Sequence, residues 1–119
     1  MNKKIRVAFI YKDCPSLSES NYYTQHRNLL LKAFRRNTTI EMNYVLTEKT
    51  FEINKIKDNT DIILLYEDQN ISANCVPDEL LGIKDSGIPV IVKIGDPWDA
   101  KKYDIKLHQE KYKIDGYFG

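Results

Sequence analysis

The sequence predicts an α/β domain, a five-stranded parallel sheet with helices on both faces. Three observations lead there. Short strand-forming runs alternate along the chain with stretches of helical period. One run, Asp61-Ile62-Ile63-Leu64-Leu65-Tyr66, is apolar on both faces, as a central parallel strand must be. At 119 residues, with 42% hydrophobic and 29% charged, the chain has the size and balance of one globular domain, 1–119.

The first strand is Ile5 to Tyr11, a run rich in β-branched and aromatic residues. A polar loop, Lys12 to Ser20, follows. Asn21 to Arg36 then carries a helical stripe of Tyr22, Leu29, Leu30, Ala33 and Phe34. Ser18 or Ser20 can cap its start, Arg35 and Arg36 suit the negative end of its dipole, and Asn37 stops it. The second strand, Thr39 to Leu46, alternates Ile40, Met42, Tyr44 and Leu46 with other residues, the pattern of a half-covered edge strand. A short helix is expected over Thr50 to Asp58, carrying Phe51, Ile53 and Ile56. Another is expected from Pro77 to about Asp85, where proline suits a first turn and Asp78 and Glu79 suit the dipole. The fourth strand is Ile88 to Ile94. Ala100 to Lys113 reads as the last helix, and Ile114 to Phe118 as the fifth strand. The pattern is that of a Rossmann-like, flavodoxin-like α/β/α sandwich in three layers, with strand order 2-1-3-4-5 in chain numbering.

Composition excludes several functions. Eighteen basic against seventeen acidic residues leave a net +1, so no electrostatic footprint for nucleic acid exists. No apolar run approaches the roughly 20 residues of a membrane span. Met1-Asn2-Lys3-Lys4 enters the first strand with no small-residue cleavage site, and Cys14 and Cys75 have no metal-ligand spacing. A cytoplasmic protein without metal or cofactor is expected. His26 and His108 have no ligand set around them and read as solvated or packed. Cys14 lies near a helix start, which lowers a thiol pKa, but it has neither a C-x-x-C partner nor a nearby histidine. Asn37-Thr38-Thr39 and Asn70-Ile71-Ser72 match the glycosylation pattern without a secretory context.

In such a sheet, ligands sit beyond the carboxyl ends of the strands. The loops there are Lys12–Ser20, Glu67–Val76 and Gly95–Asp99. None carries the glycine fingerprint that lets a pyrophosphate approach the backbone, so a dinucleotide oxidoreductase is excluded. Ser16, Ser18 and Ser20 either cap a helix or bind a phosphate or sugar hydroxyl. A receiver-type phosphoacceptor would need an acidic pair after strand 1, a hydroxyl after strand 4 and a lysine after strand 5. Asp13 stands alone, strand 4 ends Lys93-Ile94-Gly95, and Glu67 with Asp68 reads as a solvated loop. Tyr11, Tyr66 and Trp98 end or follow strands at this face, where aromatic planes suit a sugar ring or simply pack under the loops.

Gly87-Ile88-Pro89-Val90-Ile91-Val92-Lys93-Ile94-Gly95-Asp96-Pro97-Trp98 resembles the strand and loop of the amino-terminal domain of GT-B glycosyltransferases, of the family-1-like or spore-protein-like kind. Ile114-Asp115-Gly116-Tyr117-Phe118 is similar to the strand that comes next in that domain, and Lys4 to Tyr11 to its opening strand. The serine-bearing loop and Asn28 to Phe34 are similar to its first helix. The resemblance implies an acceptor-side domain, the amino-terminal half of a larger two-domain protein, inactive alone. It implies a nucleotide-sugar donor held through a second domain and an acceptor held here. Asp13, Asp96 and Asp99 become the candidate bases that deprotonate the acceptor hydroxyl, while Ser16, Ser18, Ser20, Tyr11, Tyr66 and Trp98 line the acceptor side. Asp96 and Asp99 are equally placed to cap the helix that follows. The sequence departs from the family in lacking its glycine-rich first loop. The alternative is a non-catalytic flavodoxin-like or degenerate receiver-like binding module. An unprotected terminal strand would allow homodimerisation.

Overall fold

A computed structural model describes residues 3–12, 33, 36–37, 39–67, 76–94 and 105–118. The described residues include seven strands: β1 (Ile5–Lys12), β2 (Ile40–Thr47), β3 (Thr50–Glu52), β4 (Ile62–Glu67), β5 (Glu79–Leu81), β6 (Val90–Ile94) and β7 (Gly116–Phe118). Five form the main sheet in the order β2-β1-β4-β6-β7, every neighbouring pair parallel. This is the expected 2-1-3-4-5 order once the main-sheet strands alone are numbered. β4 is the middle strand, and the alternating β2 lies at an edge, as its half-polar pattern requires.

Alternation along the strands makes two cores. Ala8, Ile10, Ile63, Leu65, Val90 and Val92 face one way and pack with Ile53, Ile56, Leu80, Ile83, Tyr112 and Ile114. Val7, Phe9, Leu64 and Tyr66 face the other way and are buried with Ile40, Met42, Ile62, Ile91 and Phe118 against them. Both faces are therefore dry over Val7–Ile10 of β1 and Ile63–Tyr66 of β4, which explains the apolar run at the centre of each strand.

The first of these cores is covered differently from expectation. The helix expected over Thr50–Asp58 is instead β3 followed by two 3-10 turns, Ile53–Lys55 and Lys57–Asn59. The helix expected over Pro77–Asp85 is β5 and a third 3-10 turn, Ile83–Asp85. β3 and β5 pair in parallel as a separate two-stranded sheet, Phe51 opposite Leu80. The physical reason lies in the spacing. Phe51 and Ile53 are two apart, the strand period, whereas Ile53–Ile56 and Leu80–Ile83 are three apart, the period at which 3-10 side chains eclipse. Nine-residue segments are also too short to nucleate a helix cheaply. Gly82 adds a break, with φ of 82° in the left-handed region where a helix cannot continue.

The expected last helix is present over Ile105–Tyr112. It ends where Lys113 takes a left-handed φ of 51° and the Ile114 N–H donates to the Gln109 carbonyl at 3.1 Å, a Schellman closure. Ala33 and Arg36 are helical and Asn37 is not, in agreement with the expected helix end there, while the rest of 13–38 lies outside the described residues apart from these. Asn37 begins a turn into β2, its Oδ1 accepting from the Thr39 N–H at 2.9 Å and from the Thr39 hydroxyl at 2.6 Å. Among the described residues, no helix is long and apolar enough to cross a membrane.

Candidate functional site

The carboxyl edge of the main sheet gathers polar groups because the strand alternation continues past the point where the apolar run ends. Ala8 and Ile10 are followed on the same face by Lys12, and Ile63 and Leu65 by Glu67. Lys12 Nζ reaches Asp78 Oδ1 at 2.8 Å, just ahead of β5, and the pair is partly open to solvent at 28% and 54% side-chain exposure. The Lys12 ammonium holds the Asp78 carboxyl below the usual range by this hydrogen bond, with further help from the charges of Lys111 and Lys49, against the cost of burial. Glu67 is only 1% exposed, the one carboxylate in the described core. The expectation that Glu67 belongs to a solvated loop is therefore overturned: it is the last residue of β4 and opposite Ile94 of β6.

Two phenols close this edge. Tyr112, at the end of the last helix, donates its hydroxyl to the Pro77 carbonyl at 2.8 Å. Burial pushes its pKa up to about 12, reinforced by the negative charges of Glu67 and Asp78 and opposed by Lys12. Lys111 Nζ stands 5.0 Å over the Tyr112 ring. Tyr117 of β7 is likewise pushed to about 12, by burial and then by Glu67. Its hydroxyl oxygen is buried and finds no hydrogen-bond partner among the described residues. Lys12, Glu67, Asp78, Tyr112 and Tyr117 thus form one electrostatically linked group at the end where a parallel sheet binds ligands.

Of the residues expected to line the site, Tyr11 and Tyr66 lie on the opposite face of the same edge. Tyr11 is half-buried and stacks on Phe9 with ring centroids 5.0 Å apart, and Tyr66 is packed within the second core. Asp13, Ser16, Ser18, Ser20, Asp96, Trp98 and Asp99 lie outside the described residues, as do Cys14, Cys75 and His26. His108 falls on the last helix. No group of three metal-ligating side chains occurs among the described residues.

Sequence reasoning passed over Lys12, Glu67, Asp78, Tyr112 and Tyr117. The signal was available for two of them: a polar residue two places after the last apolar residue of a buried face belongs to that face, not to the loop. Tyr112 and Tyr117 come to the same place only through the turn at Lys113, which no spacing rule shows. At the other end of the sheet, an open recess of about 320 Å³ is bounded by Arg6, Glu41, Met42, Asn43 and Asn59. Its cation is already engaged, since Arg6 donates to Asp61 from Nε at 3.2 Å and from Nη2 at 3.1 Å.

The carboxyl edge thus gathers an ammonium, two carboxylates and two phenols, with Lys12 paired to Asp78, Tyr112 bonded to Pro77 and Glu67 buried. No protein-family model matches this chain, and no curated protein or solved structure matches it.

Proposed function

We propose that this chain is the acceptor-side, Rossmann-like domain of a cytoplasmic glycosyltransferase, a three-layer α/β/α domain that works with a second, donor-binding domain. One observation carries the reading. Within the segment that resembles this family, Gly87 to Trp98, Val90–Ile94 forms β6 beside the central β4. Its carboxyl end lies at the same edge as Glu67, which pairs in register with Ile94. In this reading the segment 95–99, which lies outside the described residues, belongs to the edge where a parallel sheet binds ligands.

In this reading Asp13, Asp96 and Asp99 are the candidates for removing the acceptor proton, and Ser16, Ser18, Ser20, Tyr11, Tyr66 and Trp98 contact the acceptor. Lys12 and Asp78, partly open to solvent, join them as acceptor-hydroxyl partners. The nucleotide sugar binds through the second domain, so the domain alone transfers nothing.

The test is turnover by the complete gene product. It is expected to release the nucleotide from at least one of UDP-, GDP- and ADP-sugars. One of Asp13→Asn, Asp96→Asn or Asp99→Asn is expected to lower that rate by about 100-fold or more, the contribution of a general base. A gene that stops at codon 119, or a folded full-length product inert towards every donor, would overturn the reading. The second reading, a flavodoxin-like or degenerate receiver-like interaction module, draws on the exposed Tyr44 and Leu46 of edge strand β2.

A further inference from the structure

At the amino ends of the sheet strands, the recess of about 320 Å³ bounded by Arg6, Glu41, Met42, Asn43 and Asn59 has a mostly polar lining. The alternation of β2 puts Glu41, Asn43 and Val45 on one face, the face on which Ala8 of β1 is buried. Val45 packs against the first core, whereas Glu41 and Asn43 are exposed. Glu41 lies opposite Arg6 in the ladder, and Asn43 opposite Ala8. Asn59, the last residue of the second 3-10 turn, completes the rim and is exposed as well. Among the described residues, the Glu41 carboxylate and the Asn43 side-chain amide make no hydrogen bond, and Asn59 uses only its Oδ1, which accepts from the Thr60 hydroxyl at 3.3 Å. Arg6 is pinned: Nε and Nη2 donate to Asp61 at 3.2 and 3.1 Å, and Nη1 donates to the Asp58 carbonyl at 3.3 Å. Each terminal nitrogen keeps a second N–H for another partner.

We propose that this recess binds a neutral sugar ring through Arg6, Glu41, Asn43 and Asn59. Charge selects a neutral ligand: the guanidinium opposes a cation, while Glu41 and the Asp61 carboxylate paired to Arg6 oppose an anion. Hydrogen-bond chemistry selects hydroxyls. The lining mixes donors, from the guanidinium and the two amides, with acceptors, from the Glu41 carboxylate and the Asn43 carbonyl. A sugar hydroxyl is donor and acceptor at once, so it satisfies both kinds. Size selects one ring, because about 320 Å³ lies at the small end of ligand pockets. The pinned guanidinium has little side-chain freedom left to lose on binding. The recess is open, so much of the ligand stays in water and the affinity is weak, with a Kd of about 1–10 mM. The site lies at the opposite end of the sheet from Lys12 and Asp78 and does not rest on the glycosyltransferase reading.

The full 119-residue chain is titrated with the methyl glycosides of glucose, galactose, mannose and N-acetylglucosamine up to about 100 mM, and separately with open-chain sorbitol, and followed by NMR. At least one glycoside is expected to shift the side-chain amide signals of Asn43 and Asn59 and the Arg6 Nε–H signal saturably, while sorbitol leaves them in place. The double variant Glu41→Ala with Asn43→Ala, both at exposed positions, is expected to weaken that binding by about tenfold or more, the loss of one to two hydrogen bonds. Its backbone spectrum away from β2 shows whether it is folded; should it not fold, the single variant Asn43→Ala takes its place, with a smaller expected loss. Absence of saturable shifts with all four glycosides overturns the proposal. So do equal shifts with sorbitol, shifts confined to the carboxyl edge, or an affinity that the folded variant leaves unchanged.

Discussion

Tyr112 and Tyr117 carry the same hydroxyl into the same part of the core and meet opposite fates. The Tyr112 hydroxyl has the Pro77 carbonyl at 2.8 Å, whereas the Tyr117 hydroxyl oxygen is buried with no partner among the described residues. A buried donor that loses its water without a replacement costs free energy, and removing it recovers that cost. Tyr112→Phe is therefore expected to destabilise the fold by about 1–2 kcal/mol, because it also strips the buried Pro77 carbonyl of its donor. Tyr117→Phe is expected to be neutral or to stabilise by about 1 kcal/mol. Denaturant midpoints of the two variants check this, and a Tyr117→Phe loss as large as that of Tyr112→Phe would show that the Tyr117 hydroxyl is satisfied after all.

Two aspartates, each just ahead of a strand, lock the amino ends of the sheet. Asp61 precedes β4 and accepts from the Arg6 N–H of β1 at 2.8 Å, while its own N–H donates to the Arg6 carbonyl. Asp115 precedes β7 and accepts from the Val90 N–H of β6 at 2.8 Å, and its N–H donates to the Val90 carbonyl. Each carboxylate thus extends a ladder by one rung at a place where the backbone alone has run out of partners. Val90 is wholly buried, so Asp115→Ala strands its amide and is expected to cost about 1–3 kcal/mol. Asp115→Asn keeps an accepting oxygen and is expected to recover most of that loss in the same unfolding measurement. The turn between the last helix and Asp115 holds a separate liability. Lys113 sits at φ 51°, where a side chain costs about 1–2 kcal/mol. Part of that is regained by the lysine's smaller unfolded-state entropy, so Lys113→Gly is expected to raise stability by about 0.5–1 kcal/mol. A fall in melting temperature for this variant would contradict the closure described here.

The whole molecule inherits a pH window from these groups. The Arg6 guanidinium and amide hold the Asp61 carboxyl down at about 2, below its unfolded value of 3.8. A depressed carboxyl gives stability that is present above the unfolded pKa and is lost as pH falls through the folded one. Asp61 therefore contributes an acid limb between about pH 4 and pH 2. Tyr112 and Tyr117 rise from 10.0 to about 12, and a raised phenol gives stability that is present below pH 10 and is lost as pH climbs through about 12. Thermal melts across pH are expected to show a plateau between these limbs. Asp61→Asn is expected to flatten the acid limb, and Tyr112→Phe with Tyr117→Phe the alkaline one. Phenolate absorbance is expected to show two tyrosines titrating near pH 12; their ionisation near pH 10 in the folded chain would contradict the burial seen here.

Sequence by itself determined the main sheet. The strands Ile5–Lys12, Ile62–Glu67 and Val90–Ile94 carry apolar runs in the middle of the sheet, with Val7–Ile10 and Ile63–Tyr66 buried on both faces, so these runs announce themselves without help from any distant residue, and the alternation of β2 marks it as an edge. Tertiary structure decided the layer over that sheet. Thr50–Asn59 and Glu79–Asp85 become strand and 3-10 turn because β3 and β5 find each other across 29 residues of chain, Thr50 opposite Glu79. Such pairing is a long-range event that overrides weak local preference. The candidate site divides in the same way. Lys12 and Glu67 follow from period-two alternation carried past the end of the apolar run. Asp78, Tyr112 and Tyr117 join them only because chain segments far apart in sequence end at one edge of the sheet; there burial raises the two phenols, while the hydrogen bond from Lys12 lowers Asp78.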